Sequence, residues 1–135
     1  MKLIDTNVFV YALGRPHEYK ESCMRLMDQF ERGEHQANVD TELLQEILYH
    51  FWQRGQPQVG LQAFDQIVAG FPDPIPITVH EAAIARDLLS AHPYLEPRDA
   101  IHAGVVLAHG LEGIISADRD FNSIPGVTRF DPKDL

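Results

Sequence analysis

The sequence contains little cysteine, few basic residues and no long apolar run. Cys23 is the only cysteine among 135 residues, which excludes an internal disulfide and a cysteine-rich zinc site. It lies on an apolar helical stripe, so we expect a small buried side chain there. No apolar run approaches the roughly 20 residues that span a bilayer, and Asp5 comes too early for a signal peptide. We therefore expect a soluble, cytoplasmic protein with no membrane partner.

Basic residues are outnumbered, with 11 Lys and Arg against 20 Asp and Glu and a formal net charge of −9. This balance argues against the broad basic surface that most nucleic-acid binders use to contact phosphates. It does not exclude an enzyme that acts on nucleic acid, because carboxylates that hold divalent cations attract phosphate once the cations are bound. The positions of the acids are therefore more informative than their sum.

Short apolar strands alternate with amphipathic helices along a chain whose length and 44% apolar content are typical of one domain, residues 1–135. Strands are predicted at residues 2–4, 36–39, 75–77, 113–116 and 127–130, of which 75–77 can be only a short or edge strand because of its prolines. Helices are predicted at residues 8–13, 17–32, from the caps Asp40 and Thr41 to near Gly55, 59–68, 78–91 and 98–109. This alternation predicts an α/β fold of three layers, α/β/α, with helices on both faces of a mostly parallel sheet of four to five short strands.

Acids follow two of the predicted strands. Asp5 comes directly after the first strand, and Asp118 and Asp120 follow the strand that ends at Ser116. Ligands of such sheets bind beyond the carboxyl ends of the strands, so these acids are candidate site residues. Each also has an ordinary explanation, since the three acids could cap the turns or helices that follow them. Asp99 likewise lies in the first turn of its helix, where any carboxylate favours the dipole.

Two further acids lie on one predicted helix. Glu42 and Glu46 are four residues apart and share a face beside the apolar stripe of Leu43 and Ile47. On a solvent-exposed helix face, one of two acids four residues apart is usually replaced by a lysine, yet residues 39–53 contain no Lys or Arg. Glu46 is the better candidate to project along the core boundary.

A cluster of these carboxylates would need a counter-ion. Close carboxylates raise one another's pKa, and a divalent cation removes that cost. Magnesium and manganese prefer oxygen ligands and support phosphodiester hydrolysis.

Four segments resemble the motifs of the PIN-domain nucleases. They are KLIDTNV at residues 2–8, LLQEIL at 43–48, RDAIHA at 98–103 and ISADRDF at 115–121. Their order and approximate spacing match the family over the whole chain, and the length is similar to that of the VapC toxins of toxin–antitoxin pairs. Each motif is weak alone, but the four together are specific. The resemblance implies a PIN-like fold.

The resemblance also implies an acidic site that holds Mg²⁺ or Mn²⁺. Carried over by position, the catalytic acids are Asp5, Glu46, Asp99 and Asp118. The expected metal ligands among them are Asp5, Asp99 and Asp118. The expected accessory residues are Thr6, Asn7, Ser116 and Asp120, with Thr6 or Asn7 as a hydrogen-bond donor to the first carboxylate.

Two residues near these motifs need a separate interpretation. Glu42 remains the rival of Glu46, because the residues before it, NVDT, lack the serine that often opens this helix. His102 is expected to be a core histidine rather than a metal ligand, because it lies on a helix predicted to be buried.

By resemblance, the expected function is a metal-dependent endoribonuclease, the toxin of a toxin–antitoxin pair. Water would attack phosphorus in line and leave a 5′-phosphate and a 3′-hydroxyl on an RNA such as transfer or ribosomal RNA. The expected partners are this RNA, a cognate antitoxin protein with a positively charged tail, and a second copy of the chain. A homodimer is expected because helices 17–32 and 59–68 add more apolar surface than one sheet needs.

Two alternatives fit less well. A PIN scaffold that binds RNA or a protein partner without cleavage would normally lack one of the acids, and all four are present. A phosphoaspartate enzyme would need a lysine late in the sheet or a second acid two residues after Asp5. The only lysines are Lys2, Lys20 and Lys133, and Asn7 occupies the second position.

Overall fold

Four short parallel strands form the centre of this computed structural model, which describes residues 1–135. They are β1 (Lys2–Ile4), β2 (Ala37–Asn38), β3 (Gly113–Ile115) and β4 (Arg129–Phe130). The strands lie in the order β2-β1-β3-β4, and each neighbouring pair is parallel. All carboxyl ends therefore lie at the same edge of the sheet, and the predicted parallel sheet is confirmed.

Six helices surround the sheet. They are α1 (Thr6–Leu13), α2 (Lys20–Glu31), α3 (Thr41–Gln53), α4 (Pro57–Gly70), α5 (Val79–Ala91) and α6 (Pro97–His109). Two short 3-10 helical turns follow, at Arg119–Ser123 and Pro132–Asp134. None of the helices combines the length and the apolarity that a membrane crossing needs.

Strand side chains alternate across the sheet and build a separate core on each face. Leu3 and Ile114 are fully buried with side chains of α6. Their neighbours Ile4 and Ile115 are buried on the opposite face, with side chains of α1 to α4. Successive strand residues point to opposite faces, so an apolar run with no polar position needs helices on both sides. The predicted three-layer α/β/α architecture is confirmed.

Capping signals define where several helices begin and end. Asp40 is the N-cap of α3, and its side chain accepts a hydrogen bond of 2.9 Å from the backbone N–H of Leu43. α5 begins with the predicted capping box, formed by Thr78 and Glu81. α6 ends at Gly110, whose φ of 58° is a left-handed conformation that glycine adopts without strain. These predicted boundaries are confirmed.

Residues 75–77 do not form the predicted strand. Ile75 makes only an isolated parallel bridge to Asp40. The flanking residues Pro74 and Pro76 have no backbone N–H to donate, so a ladder cannot extend from this bridge.

Other boundaries shift by a few residues. The last strand covers Arg129–Phe130 rather than 127–130. α1 begins at Thr6, two residues earlier than the start that the apolar stripe predicted. Asp5 occupies its N-cap position. α4 begins at Pro57, since proline is well suited to the first position of a helix.

Cys23 is a core residue, as predicted. Its side chain is fully buried in the cluster on the α1 to α4 face. Burial raises the pKa of its thiol to about 12, so the group stays neutral.

Candidate active site

Acids from four separate parts of the chain meet at the carboxyl edge of the sheet. Asp5 follows β1 directly, and Asp118 comes shortly after β3. Glu46 lies on α3, and Asp99 lies in the first turn of α6. All four line one open cleft of about 380 Å³, which we call the acidic pocket.

The accessory residues predicted from the sequence lie in or beneath this pocket. Thr6, Asn7 and Asp120 line it, and Ser116 is fully buried below it. Glu42 does not line it, although it is on the same helix as Glu46. The structure thus brings the predicted quartet and its accessories together and leaves the rival acid outside.

The hydroxyl group of Ser116 connects three of these residues. It donates to Asp5 Oδ2 at 2.5 Å and accepts from Asn7 Nδ2 at 3.1 Å and from the backbone N–H of Asp118 at 2.9 Å. Thr6 or Asn7 was expected as a donor to the carboxylate of Asp5. A hydrogen bond from the backbone N–H of Thr6 lowers the pKa of Asp5, whereas Asn7 reaches Asp5 only through Ser116. The register of β1 and β3 explains this, since pairing of Ile4 with Ile115 sets Asp5 beside Ser116.

The capping explanation holds for one of the acids and fails for another. Asp118 accepts a hydrogen bond of 2.9 Å from the backbone N–H of Asp120 and so caps the 3-10 turn that follows it. Asp5 is the N-cap residue of α1 by position, but its side chain makes no capping hydrogen bond. Capping therefore does not account for a buried carboxylate at Asp5.

Burial and mutual repulsion raise the pKa values of two of the acids. Burial raises the pKa of Asp5 to about 6, although the charge of His102 and the hydrogen bond from Ser116 act in the opposite direction. Burial, followed by the negative charges of Asp5 and Asp118, raises the pKa of Asp99 to about 7. Carboxylates with such values gain from any cation that binds between them.

A buried histidine joins the acidic pocket to the N-cap of α3. His102 is fully buried, and its Nδ1 lies 2.6 Å from Asp40 Oδ2. Its Nε2 lies 2.8 Å from Glu46 Oε1 and 3.8 Å from Asp5 Oδ1. Burial alone would lower the pKa of His102, but Asp40 and Glu46 hold it well above the usual value. A protonated His102 balances these buried carboxylates.

Unpartnered buried polar atoms are concentrated at this site. The buried side-chain atoms without a hydrogen-bond partner are Thr6 Oγ1, Glu46 Oε1 and His102 Nε2. The last two lie 2.8 Å apart and form an ion pair when His102 is protonated. Buried polar atoms without a hydrogen-bond partner cost stability and are rare in native proteins. A group of them in one place is therefore typical of a functional site.

The oxygen-rich donor set fits a hydrated magnesium or manganese ion. No group of three His, Cys, Asp or Glu side chains forms a ready-made metal cage. Magnesium does not require one, because it keeps several waters and is bound through one or two carboxylates. Asp5, Asp99 and Asp118 line the pocket and supply such carboxylates.

Sequence reasoning missed several residues around these acids. Asp40 was identified only as a cap, whereas its second oxygen holds His102. The signal was present, because His102 lies one helical turn after Asp99 and therefore on the same side of α6. The pocket is also lined by His50, Arg54 and Tyr94, which lie outside the four motifs, and by Arg98, the first residue of the third motif.

Comparisons with known proteins agree with this geometry. A family model described as the PIN domain matches residues 2–127. Ribonuclease VapC13 of Mycobacterium tuberculosis is 33% identical over 129 residues, which cover 96% of this chain and 98% of that protein. The chain belongs to the PIN-domain family. Within that family, it is of the VapC type.

Solved structures share the fold over the full length. FitAcB from Neisseria gonorrhoeae gives a TM-score of 0.73 at 22% identity, with 100% of both chains covered. A toxin-antitoxin complex from Klebsiella pneumoniae gives a TM-score of 0.68 at 21% identity, also with 100% of both chains covered. The predicted PIN-like fold is therefore confirmed.

Proposed function

We propose that this protein is a metal-dependent endoribonuclease that hydrolyses phosphodiester bonds of RNA at the acidic pocket. The observation that carries the proposal is the convergence of Asp5, Glu46, Asp99 and Asp118 on one cleft, with the pKa values of Asp5 and Asp99 raised. The name ribonuclease, which the relative with 33% identity carries, supports the same activity.

The residues of the acidic pocket would have different roles in hydrolysis. Asp5, Asp99 and Asp118 would hold Mg²⁺ or Mn²⁺, which supplies positive charge for the phosphodiester transition state. Ser116 positions the carboxylate of Asp5, and Asn7 in turn positions Ser116. Glu46, which contacts His102, would complete the acidic cluster. Water would attack phosphorus in line and leave a 5′-phosphate and a 3′-hydroxyl.

The proposed partners are an antitoxin protein and a second copy of the chain. One of the solved structures that share the fold is a toxin-antitoxin complex, and the net charge of −9 suits a partner with a positively charged tail. This protein would be the toxin of such a pair. A homodimer would cover apolar side chains that remain exposed on α3 and α4, including Trp52 and Leu61.

The decisive experiment compares the unmodified protein with Asp5→Asn. We expect magnesium-dependent cleavage of RNA by the former and no cleavage by the latter, because the change removes a charge from the site without a change in shape. The circular dichroism spectrum of the variant should match that of the unmodified protein. Equal cleavage by both proteins would refute the assignment of the site.

A non-cleaving scaffold is the alternative outcome. It predicts that the unmodified protein binds RNA or a partner protein but leaves RNA intact at every magnesium and manganese concentration. The presence of all four acids in one pocket favours the enzyme.

A further inference from the structure

A second cleft adjoins the acidic pocket and has the opposite charge. It has a volume of about 540 Å³ and lies between the end of α1, the C-terminal half of α3 and the start of α4. None of the 12 residues that line it is acidic, although the chain has 20 Asp and Glu. Its basic side chains are Arg15, His17, His50 and Arg54, and we call it the basic cleft.

The basic cleft and the acidic pocket are continuous. Both are lined by Val10, Tyr11, His50 and Arg54. A chain molecule that leaves the acidic pocket along these residues therefore enters the basic cleft directly. A strand that follows this path would pass from the carboxylates of the acidic pocket into a cleft that has no acidic side chain.

The arginines of the basic cleft have no internal partner. The arginines that pair with an acid are Arg32, Arg86, Arg98 and Arg129. Arg15 and Arg54 belong to no ion pair, and both are exposed. Burial and the charges of Arg54 and Arg98 lower the pKa of His50, which indicates a positive potential at this wall. Guanidinium groups in this state are available to bind the oxygens of a phosphate.

Flat aromatic surface lies next to these charges. The rings of Tyr11 and His17 are stacked, with centroids 4.1 Å apart and planes inclined by 6°. Unpaired bases stack on such surfaces in proteins that bind single-stranded nucleic acids. Bases that are paired in a duplex do not expose the faces that this contact requires.

We propose that the basic cleft binds the phosphate backbone of single-stranded RNA on one side of the bond that is cut. The strand would pass from the acidic pocket by Arg54 and His50 toward Arg15. This inference rests on the proposed function, because it takes the acidic pocket as the place of cleavage. It explains how a protein with a net charge of −9 retains a polyanion.

The test measures binding separately from cleavage. Fluorescence anisotropy of a short labelled single-stranded RNA is recorded with Arg15→Gln, Arg54→Gln and the double variant, all in the Asp5→Asn background, which prevents cleavage. Arg86→Gln is the matched control, because this exposed arginine lies on α5 outside both clefts. Each measurement is repeated over a series of salt concentrations, and thermal unfolding verifies that every variant is folded.

We expect each change in the basic cleft to weaken binding and to lower the slope of log affinity against log salt by about 0.7, the value for one phosphate contact to a single strand. Arg86→Gln should leave both quantities unchanged. When Arg15→Gln and Arg54→Gln are made in the protein that retains Asp5, they should raise KM more than they lower kcat.

Three results of the RNA measurements would overturn the inference. They are an unchanged affinity and salt slope in the double variant, an equal loss with Arg86→Gln, and the absence of measurable RNA binding. If an acidic peptide rather than RNA loses affinity in the cleft variants, the occupant is a protein and the inference is also wrong. RNA binding that depends on the two arginines, in a protein that never cleaves, would instead refute only the proposed function.

Discussion

Glu42 and Glu46 lie one helical turn apart on α3, yet their surroundings differ. Glu46 is buried, contacts His102 and lines the acidic pocket. Glu42 is partly exposed and lies outside it. A helical side chain leans toward the N-terminal turn, so the later of the two acids reaches back over the sheet edge while the earlier one points past the helix start.

This difference leads to a prediction for the two acids. Glu46→Gln should lower cleavage at least about a hundredfold, on the scale of losing a metal ligand or its support. Glu42→Gln should lower it far less. Both rates are to be measured at saturating magnesium. A larger loss for Glu42→Gln would place the motif one turn earlier on α3.

At the scale of elements, α5 and α6 pack closely at a glycine. A Cβ added at Gly104 would lie 2.7 Å from the backbone oxygen of Glu81, which is closer than such atoms approach in proteins. Gly70, at the end of α4, has nothing within 4 Å of the same position. Both glycines lie in helices, so the same substitution tests packing at one and helix propensity at the other.

We predict that Gly104→Ala destabilises the protein by about 1–3 kcal/mol, because the two helices must move apart. Gly70→Ala should be neutral or stabilise by up to about 1 kcal/mol, because alanine favours the helix. Urea unfolding of both variants provides the measurement. A loss in Gly104→Ala no greater than in Gly70→Ala would contradict this close packing.

At the scale of the whole molecule, the buried charges make stability depend on pH. Asp5 and Asp99 have folded-state pKa values of about 6 and about 7, above the unfolded value of 3.8. The folded state therefore binds more protons than the unfolded state between about pH 4 and pH 7, and stability falls as pH rises through this range. The raised pKa of His102 acts in the same direction, because its contribution is lost as pH rises through that raised value.

We predict that the melting temperature without metal falls from about pH 4 to pH 7, and that added magnesium raises it more at about pH 8 than at about pH 5. The reason is that ionised carboxylates bind the cation and their repulsion is relieved. Asp5→Asn should show a smaller magnesium effect. Differential scanning fluorimetry is sufficient, and a magnesium effect that is equal at both pH values would count against the site.

The oligomeric state is a further property of the whole molecule. Tyr49 and Trp52 on α3 remain 51% and 66% exposed, and Leu61 on α4 is exposed as well. Such a surface is usually covered by a two-fold partner. We therefore expect light scattering at micromolar concentration to give about twice the chain mass of 15.3 kDa. A monomeric mass would refute the homodimer.

The sequence by itself determined the order of strands and helices and most of their ends. Apolar periodicity, the caps at Asp40 and Thr78 and the stop at Gly110 act over a few residues, so they can be read locally. The identity of the four acids also came from local motifs. The misread strand at 75–77 was a local conflict, in which β-branched residues favoured a strand and prolines removed its donors.

Only the tertiary structure decided which side chains meet. The bond from Ser116 to Asp5 joins residues 111 positions apart, and the contact of His102 with Asp40 spans 62 positions. The basic cleft likewise joins the end of α1 to the end of α3. No pattern within a segment contains these contacts, because they depend on strand register and on how the helices pack across the sheet. The acids were visible in the sequence, but their hydrogen bonds and raised pKa values arise from burial at one edge of the sheet. The basic cleft beside them arises from the way α1, α3 and α4 pack together.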